Sequence, residues 1–414
     1  MKRLLCTLLC VMLVLSGCGG SKVPDGTTSA PAADTTVPST AASETTTPET
    51  TVPEETEPHT LQLPMSAVFM PTVSEYVYAE DGTLIFTGTL QEISLTIPNA
   101  DCADEIILDF LSRNDIHLES IETLKLWAQE EYQGQEYWAP YSTEVIYAPV
   151  RIDEKVLSLH GTMFSYAGGV HPNYAGISAN YDLVTGKYLK LEDVLIDKVA
   201  SDILCQRIID RLGEIAEERY LFDDYIRTVD ERFGTLFDPA WESTNDWYLS
   251  PEGLCIYFSP YDIAPYASGS IEITFTYDEL EGLINPDFVP ASLPQGTPGT
   301  VEAVLAQDVD LDSFSQFAEA PLDADGEQVV LFTDGLVTNL TLELGEWDPD
   351  GIQFMPKATI FAASTLSPGD AVMLMTMFSD TMPHLRMRYS SGGKEYTYFL
   401  FQSGMDGSIV LIDE

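Results

Sequence analysis

Residues 164–197 read FSYAGGVHPNYAGISANYDLVTGKYLKLEDVLID, and residues 199–220 continue VASDILCQRIIDRLGEIAEERY. Two turn signals divide the first stretch. Gly168-Gly169 permits backbone angles that other residues avoid, and Thr185-Gly186 turns the strand pattern SANYDLVTGKYLKL. In the second stretch Ile203 or Leu204, Ile208, Leu212 and Ile215 recur at helical spacing. A further helical segment, FDDYIRTVDERFGTLF (222–237), precedes two strands, WYLSPEGLCIYFSP (247–260) and GSIEITFTYDEL (269–280), which close the unit near Leu283. Strands and helices in this order predict an α+β fold, an antiparallel sheet with packed helices.

Upstream, QEISLTIPNAD (91–101) reads as a strand and ADEIILDFLSRND (103–115) as a helix, with Ile106, Ile107, Phe110 and Leu111 on one stripe and Asp101 or Asp104 as cap. From Glu122 to Gly168 the pattern predicts strands. Tyr132–Gln135 there reads as a hairpin turn, and Val156, Ser158 and His160 alternate with Leu157 and Leu159. Downstream, INPDFVPASLPQGTPGT is rich in Pro and Gly and contains a linker at 289–300. Residues 301–414 carry short alternating strands between Gly, Asp and Ser turns, the pattern of a small all-β sandwich or barrel domain. The folded part divides into an N-terminal α+β subdomain at 61–155, a C-terminal one at 156–288, and this β domain.

At the start of the chain Lys2 and Arg3 precede LLCTLLCVMLVLSG, too short for a full bilayer span and ordered as a secretory signal. The run ends Leu15-Ser16-Gly17-Cys18, which resembles the lipobox of bacterial lipoproteins, where the cysteine thiol receives a diacylglycerol and becomes the mature N-terminus. Residues 1–17 are then the signal peptide. Residues 18–60 form a Thr/Pro/Ser/Glu tract without the apolar side chains a core requires, a disordered stalk. Its reach lies between about 35 Å as a coil and about 130 Å fully stretched. Cys6 and Cys10 leave with the signal, and Cys102, Cys205 and Cys255 are too widely spaced for a disulfide framework. One disulfide among the three stays open, but buried small hydrophobes fit them better.

The chain carries 19 Lys+Arg against 66 Asp+Glu, a formal charge of −47 over 414 residues. Such a chain is repelled by nucleic acid and by anionic headgroups, so no nucleic-acid partner is expected. Basic partners, cations and neutral sugars remain. Hydrophobic residues make up 45% and aromatic residues 10%, enough for a core and too much for a wholly disordered chain.

The pattern Tyr-x-Gly-Gly-x-His at Tyr166–His171, followed by Asn180-Tyr181-Asp182-Leu183, Thr185-Gly186-Lys187 and Leu191-x-Asp193-Val194-Leu195, and then by Ile263-Ala264-Pro265-Tyr266-Ala267, resembles paired domains of unknown function. Those domains occur in the extracellular part of the lysozyme-responsive anti-sigma factor RsiV and in the peptidoglycan deacetylase PdaC. The resemblance covers about residues 61–285. It implies an extracellular binding module, with lysozyme as the ligand in the RsiV-like case. It does not extend to a deacetylase domain: the five histidines, His59, His117, His160, His171 and His384, form no His-x-x-x-His pair, and LFTDGL around Asp334 lacks a second acid.

No recognised nucleophile accompanies His171, and His160 and His171 show no metal-ligand spacing, so neither a catalytic residue nor a metal nor a cofactor is assigned. Acids in Asp308–Glu319 fall at EF-hand positions, but Ser313 stands where the sharp turn wants glycine. The aromatic residues Trp127, Tyr132, Tyr137, Trp138 and Tyr141 fit either a core or a binding face. Partner-binding residues are placed at Tyr166, Gly168, Gly169, His171 and Asn173 in one loop and at Tyr261 and Tyr266 in another, where Pro260 and Pro265 shape the chain.

These features predict a non-catalytic cell-surface lipoprotein, extracytoplasmic and lipid-anchored to the bacterial membrane, acting as an envelope binding or accessory module. A basic envelope protein and a cell-wall glycan are the partners open to it. Two other readings stand beside it: a sensor or inhibitor binding a basic wall hydrolase such as lysozyme, and a cell-wall hydrolase or deacetylase with an unrecognised site. Acyl chains at Cys18 are the one membrane anchor read from the sequence. Replacing Cys18 with Ala is therefore expected to move the protein from the membrane fraction to the medium, as fractionation under high salt would show.

Overall fold

Two long strands, β1 (Ser66–Tyr78) and β2 (Leu84–Thr96), pair antiparallel and open the folded part of the chain. The computed structural model describes residues 65–238, 240, 244–291, 296–321, 326–348, 351–378 and 382–414; Cys18 and the segments expected as signal (1–17) and stalk (18–60) lie outside them. Helix α1 (Ala100–Glu131) crosses over and returns the chain to β3 (Tyr141–Ile152), which lies parallel to β2 over Phe86–Thr89. An antiparallel meander through β4 (Val156–Tyr166) and β5 (Asn173–Asp182) follows. The buried face of α1, with Ile106, Phe110, Ile121, Leu124 and Ala128, packs on Phe86, Tyr147, Leu157 and Leu159. Phe110 meets Tyr147 edge-on at 5.1 Å. Each such side chain contributes roughly 1.5–3 kcal/mol on burial. Where the β2–β3 ladder stops, the buried Gln91 side chain takes the Tyr147 amide at 2.6 Å, and Asn114 of α1 donates to the Gln91 carbonyl at 3.1 Å.

Helix α1 is longer than the sequence pattern predicts. Residues 122–131, read as strand, continue the helix, and Tyr132–Gln135 follows its C-terminus instead of turning a hairpin. The physical reason is a period of 3.6: Ile121, Leu124 and Ala128 are buried together while Leu126 is exposed, in a stretch of strong helix formers. The cap also differs. Asn99, not Asp101 or Asp104, accepts the Cys102 amide.

Helices α2 (Leu191–Val194), α3 (Lys198–Ile215) and α4 (Tyr225–Phe233) then pack on the three-stranded sheet β6 (Trp247–Leu249), β7 (Gly253–Phe258) and β8 (Ile271–Thr276). Asp197 caps α3 by accepting the Ala200 amide at 2.8 Å. The helical stripe Leu204, Ile208 and Leu212 joins Phe233, Trp247, Phe258 and Phe275 in one core. Cys102, Cys205 and Cys255 are free and buried.

Residues from 301 onward form β9 (Val301–Leu305), β10 (Gln316–Pro321), β11 (Glu327–Thr333), β12 (Val337–Trp347), β13 (Phe354–Leu366), β14 (Asp370–Thr376), β15 (Leu385–Ser391), β16 (Lys394–Gln402) and β17 (Ile409–Asp413). A four-stranded sheet, in the order β10-β14-β11-β9, packs against β12, β13, β15 and β16 around Leu331, Leu340, Phe361, Leu374 and Met387. This is the sandwich. The second of its sheets continues through β1, because Ser66–Val68 pair with Phe361–Ala363, giving ten strands in the order β17-β16-β15-β12-β13-β1-β2-β3-β4-β5. The fold is thus α+β with a β-rich C-terminal part. The Asp308–Glu319 stretch starts at the end of one 3-10 turn (Ala306–Asp308), holds a second (Leu311–Ser313) and runs into β10, which lies parallel to β14.

A fragment spanning residues 299–414 keeps both faces of the sandwich and loses the β1 ladder together with Val68, whose burial contributes roughly 1.5–3 kcal/mol. It is expected to unfold cooperatively on heating, at a lower temperature than the full chain. A gradual, non-cooperative melt by circular dichroism would show that β1 is indispensable to the sandwich.

Candidate functional site

The chain reverses between β4 and β5 through Gly168 (φ 75°) and Gly169 (φ 119°), angles that L side chains rarely adopt. Val170 at the tip is 98% exposed. The turn parts two aromatic groups. On its β4 side Tyr166 meets Tyr141 edge-on at 6.5 Å, Tyr141 stacks on Trp138 at 5.1 Å, and Trp138 meets Tyr132 at 5.3 Å. A Cβ at Gly168 would lie 3.2 Å from the Tyr141 hydroxyl. Of the aromatic residues singled out in the sequence, Tyr141 is buried, whereas Tyr137 stands almost fully in solvent.

On the β5 side His171 stacks on Tyr266 at 4.0 Å and 22°. Tyr174 meets Tyr266 at 5.5 Å and Tyr261 meets it at 5.7 Å. The two loops that the sequence singles out, about ninety residues apart, therefore share one half-exposed cluster of a histidine and three tyrosines. His171 Nδ1 lies 2.8 Å from the Pro172 carbonyl oxygen, which makes Nδ1 the donor and turns Nε2 toward the Tyr261 hydroxyl at 3.5 Å. Neither neighbour is a serine or cysteine nucleophile. Asn173 is exposed at the start of β5, and Tyr166, Gly168 and Gly169 belong to the first aromatic group rather than to this one.

A clamp beneath the cluster holds the second loop. Arg232 of α4 donates to Asp246 at 2.8 Å and to both carboxylate oxygens of Asp262, at 2.8 and 3.0 Å. Asp262 also accepts the Ser259 amide at 2.7 Å, and Ser259 Oγ accepts the Gly176 amide of β5 at 2.9 Å. Gly176 is required there, since a Cβ would fall 2.4 Å from the Tyr257 ring. So fixed, Tyr261 holds φ at 75°, an angle unusual for a bulky residue and more than half exposed to solvent. Sequence reasoning missed Arg232, Asp246 and Tyr174. Arg232 lies 14 and 30 positions from its carboxylate partners, a distance at which no local pattern links them.

His160 lies apart from His171. It sits between Tyr248, stacked at 4.5 Å, and Tyr257 at 4.7 Å, with its Nδ1 buried and without a hydrogen-bond partner among the described residues. Burial holds its pKa below the ordinary 6.5. Among the described residues no group of three or more His, Cys, Asp or Glu side chains is placed to hold a metal ion.

Residues 192–278, which include α3, α4, the Tyr261–Tyr266 loop and the Arg232 clamp, match a family described as a protein of unknown function, DUF3298. No curated protein matches the chain. Among solved structures it is similar to a DUF3298 family member from Bacteroides fragilis at 16% identity, covering 54% of this chain and 94% of that one with a TM-score of 0.39. It is likewise similar to a DUF3298 family protein from Pseudomonas aeruginosa at 16% identity, covering 55% of this chain and 97% of that one, with a TM-score of 0.36.

An unfolded imidazole takes a proton near pH 6.5, whereas the buried His160 ring resists it until lower pH. The unfolded chain thus binds more protons just below that value, and stability falls as the pH drops through it. His117, lowered by burial as well, adds to the same slope. The variant His160→Gln is expected to lose stability less steeply on acidification than the native chain, measured by urea unfolding above and below pH 6.5.

Proposed function

We propose that this protein is a non-catalytic cell-surface lipoprotein, anchored to the bacterial membrane through Cys18, whose folded part binds an envelope component through the cluster of His171, Tyr174, Tyr261 and Tyr266. One observation carries the reading: a solvent-facing aromatic cluster is assembled from two loops and braced by the Arg232 clamp. Aromatic side chains lose little entropy on contact and suit both sugar rings and protein hot spots. Bracing lowers the ordering cost of binding, because the loop need not be fixed when the partner arrives. The cluster lacks a convergent acid, base and nucleophile, which favours recognition over hydrolysis.

A formal charge of −47 favours a basic partner, and the resemblance to the extracellular part of RsiV favours a wall hydrolase such as lysozyme. Long-range attraction of this kind is screened over about 8 Å at physiological ionic strength, so it speeds encounter without conferring specificity. Capture then depends on the short-range contacts of the cluster.

Lysozyme is the test ligand. Binding is expected to weaken but persist at physiological salt, and His171→Ala or Tyr261→Ala is expected to raise the dissociation rate more than it lowers the association rate in surface plasmon resonance. Complete loss at that salt, with both variants unchanged at low salt, would reduce the attraction to generic charge and leave a wall glycan as the partner to test.

A further inference from the structure

A groove runs along the ten-stranded sheet, away from the aromatic cluster. It consists of two cavities of 420 and 470 Å³ that share Ala148, Glu343 and Thr359, within the size range of small-ligand sites. Strands β3 and β13 flank it. Among the described residues β3 pairs with β2 only over Tyr141–Glu144, and β13 pairs with β1 only over Phe361–Ala363, so their remaining lengths carry no ladder on those edges apart from the Gln91 bond to the Tyr147 amide and the Ser364 bond to the Met65 carbonyl. Edges of this kind are templates for an added extended chain.

One end of the groove is built for an anion. Arg151 is 4% exposed and fixed in orientation, with Nε on Asp153 at 2.5 Å and Nη1 on the Tyr277 hydroxyl at 2.8 Å and the Phe288 carbonyl at 2.7 Å. Its remaining nitrogen, Nη2, is buried without a partner among the described residues. A buried donor left unmatched is unfavourable, and a suitable acceptor offsets that cost. Arg388 lines the same end, half-exposed, and the one enclosed acid there, Glu343, is already bracketed by Arg386 at 2.8 Å and Arg388 at 3.7 Å. Glu395 stands exposed at the rim. The rings of Tyr389 and Tyr396 stack at 5.1 Å beside them. Asn339 on this wall holds φ at 53° where the β12 register slips between Thr338 and Thr341, the kind of local strain that binding sites retain.

We infer that this groove binds a short extended peptide bearing a free carboxylate, with the carboxylate at Arg151 and Arg388 and the main chain along β3 and β13. A guanidinium fork matches a carboxylate in shape and charge, and the unladdered edges match the amides of an extended chain. This site is independent of the aromatic cluster.

The test is nuclear magnetic resonance on the full chain with labelled tyrosine rings, titrated with trialanine and with its C-terminal amide. Trialanine is expected to shift Tyr248, Tyr389 and Tyr396 saturably, and the amide to bind about tenfold more weakly or worse. Arg388→Gln, at a half-exposed position, and Asn339→Asp, which sets a negative charge on the rim, are each expected to weaken the acid and leave the amide unchanged. If those rings do not shift, if acid and amide bind equally, or if both variants bind trialanine as the native chain does, the inference is overturned.

Discussion

A ladder of three residue pairs, Ser66–Val68 against Phe361–Ala363, makes one sheet out of two parts of the chain. The Ser364 amide adds a bond to the Met65 carbonyl at 3.0 Å, across 299 positions of sequence. Strand β1 gives its other edge to β2 along nearly its whole length and contributes Val68 to the sandwich core. Through it the α1-covered layer and the sandwich share a continuous run of strands. The groove exists because these ladders are short: β3 leaves β2 after Thr89 and β13 meets β1 only near its end, so a gap opens between strands that a fully laddered sheet would close.

What the sequence makes legible follows from the range of each interaction. The α3 stripe repeats within a few turns, and Leu204, Ile208 and Leu212 lie in the core as their spacing predicts. Gly168-Gly169 and Gly186 announce turns because each adopts an angle that side chains disfavour. Residues 122–131 mislead because Leu124 and Leu126 alternate with polar neighbours as a strand would, while the helical partners of Leu124 are Ile121 and Ala128. The place of strand β1 beside β13 is invisible for another reason. Its pairing with β13 is decided by residues almost three hundred positions away, which no window contains.

The candidate site divides the same way. His171, Tyr261 and Tyr266 are legible one by one, as polar and aromatic residues in loops shaped by Gly and Pro, and the fold brings them into contact. Tyr166, Gly168 and Gly169 carry the same loop signature yet serve the neighbouring aromatic row, because the glycine turn points the two sides of the loop in different directions. Arg232 is the residue whose role a pattern conceals. On its helix it reads as one more solvated charge, and only the fold sets Asp246 and Asp262 against it. Precision in the exposed tyrosines thus rests on a charged group beneath them that makes none of the cluster's ring contacts.

The three free thiols among the described residues give the molecule internal clocks. Cys102 lies at the start of α1, Cys205 within α3 and Cys255 within β7, so each belongs to a different packed layer. Burial pushes Cys205 up to about 12 and holds Cys102 and Cys255 above their ordinary value, which suppresses the reactive thiolate in every case. A thiol reagent gains access to each sulfur when the surrounding layer opens, and the three alkylation rates then time three separate local openings of the native protein. The described part of the chain thus carries its own reporters of how its layers breathe.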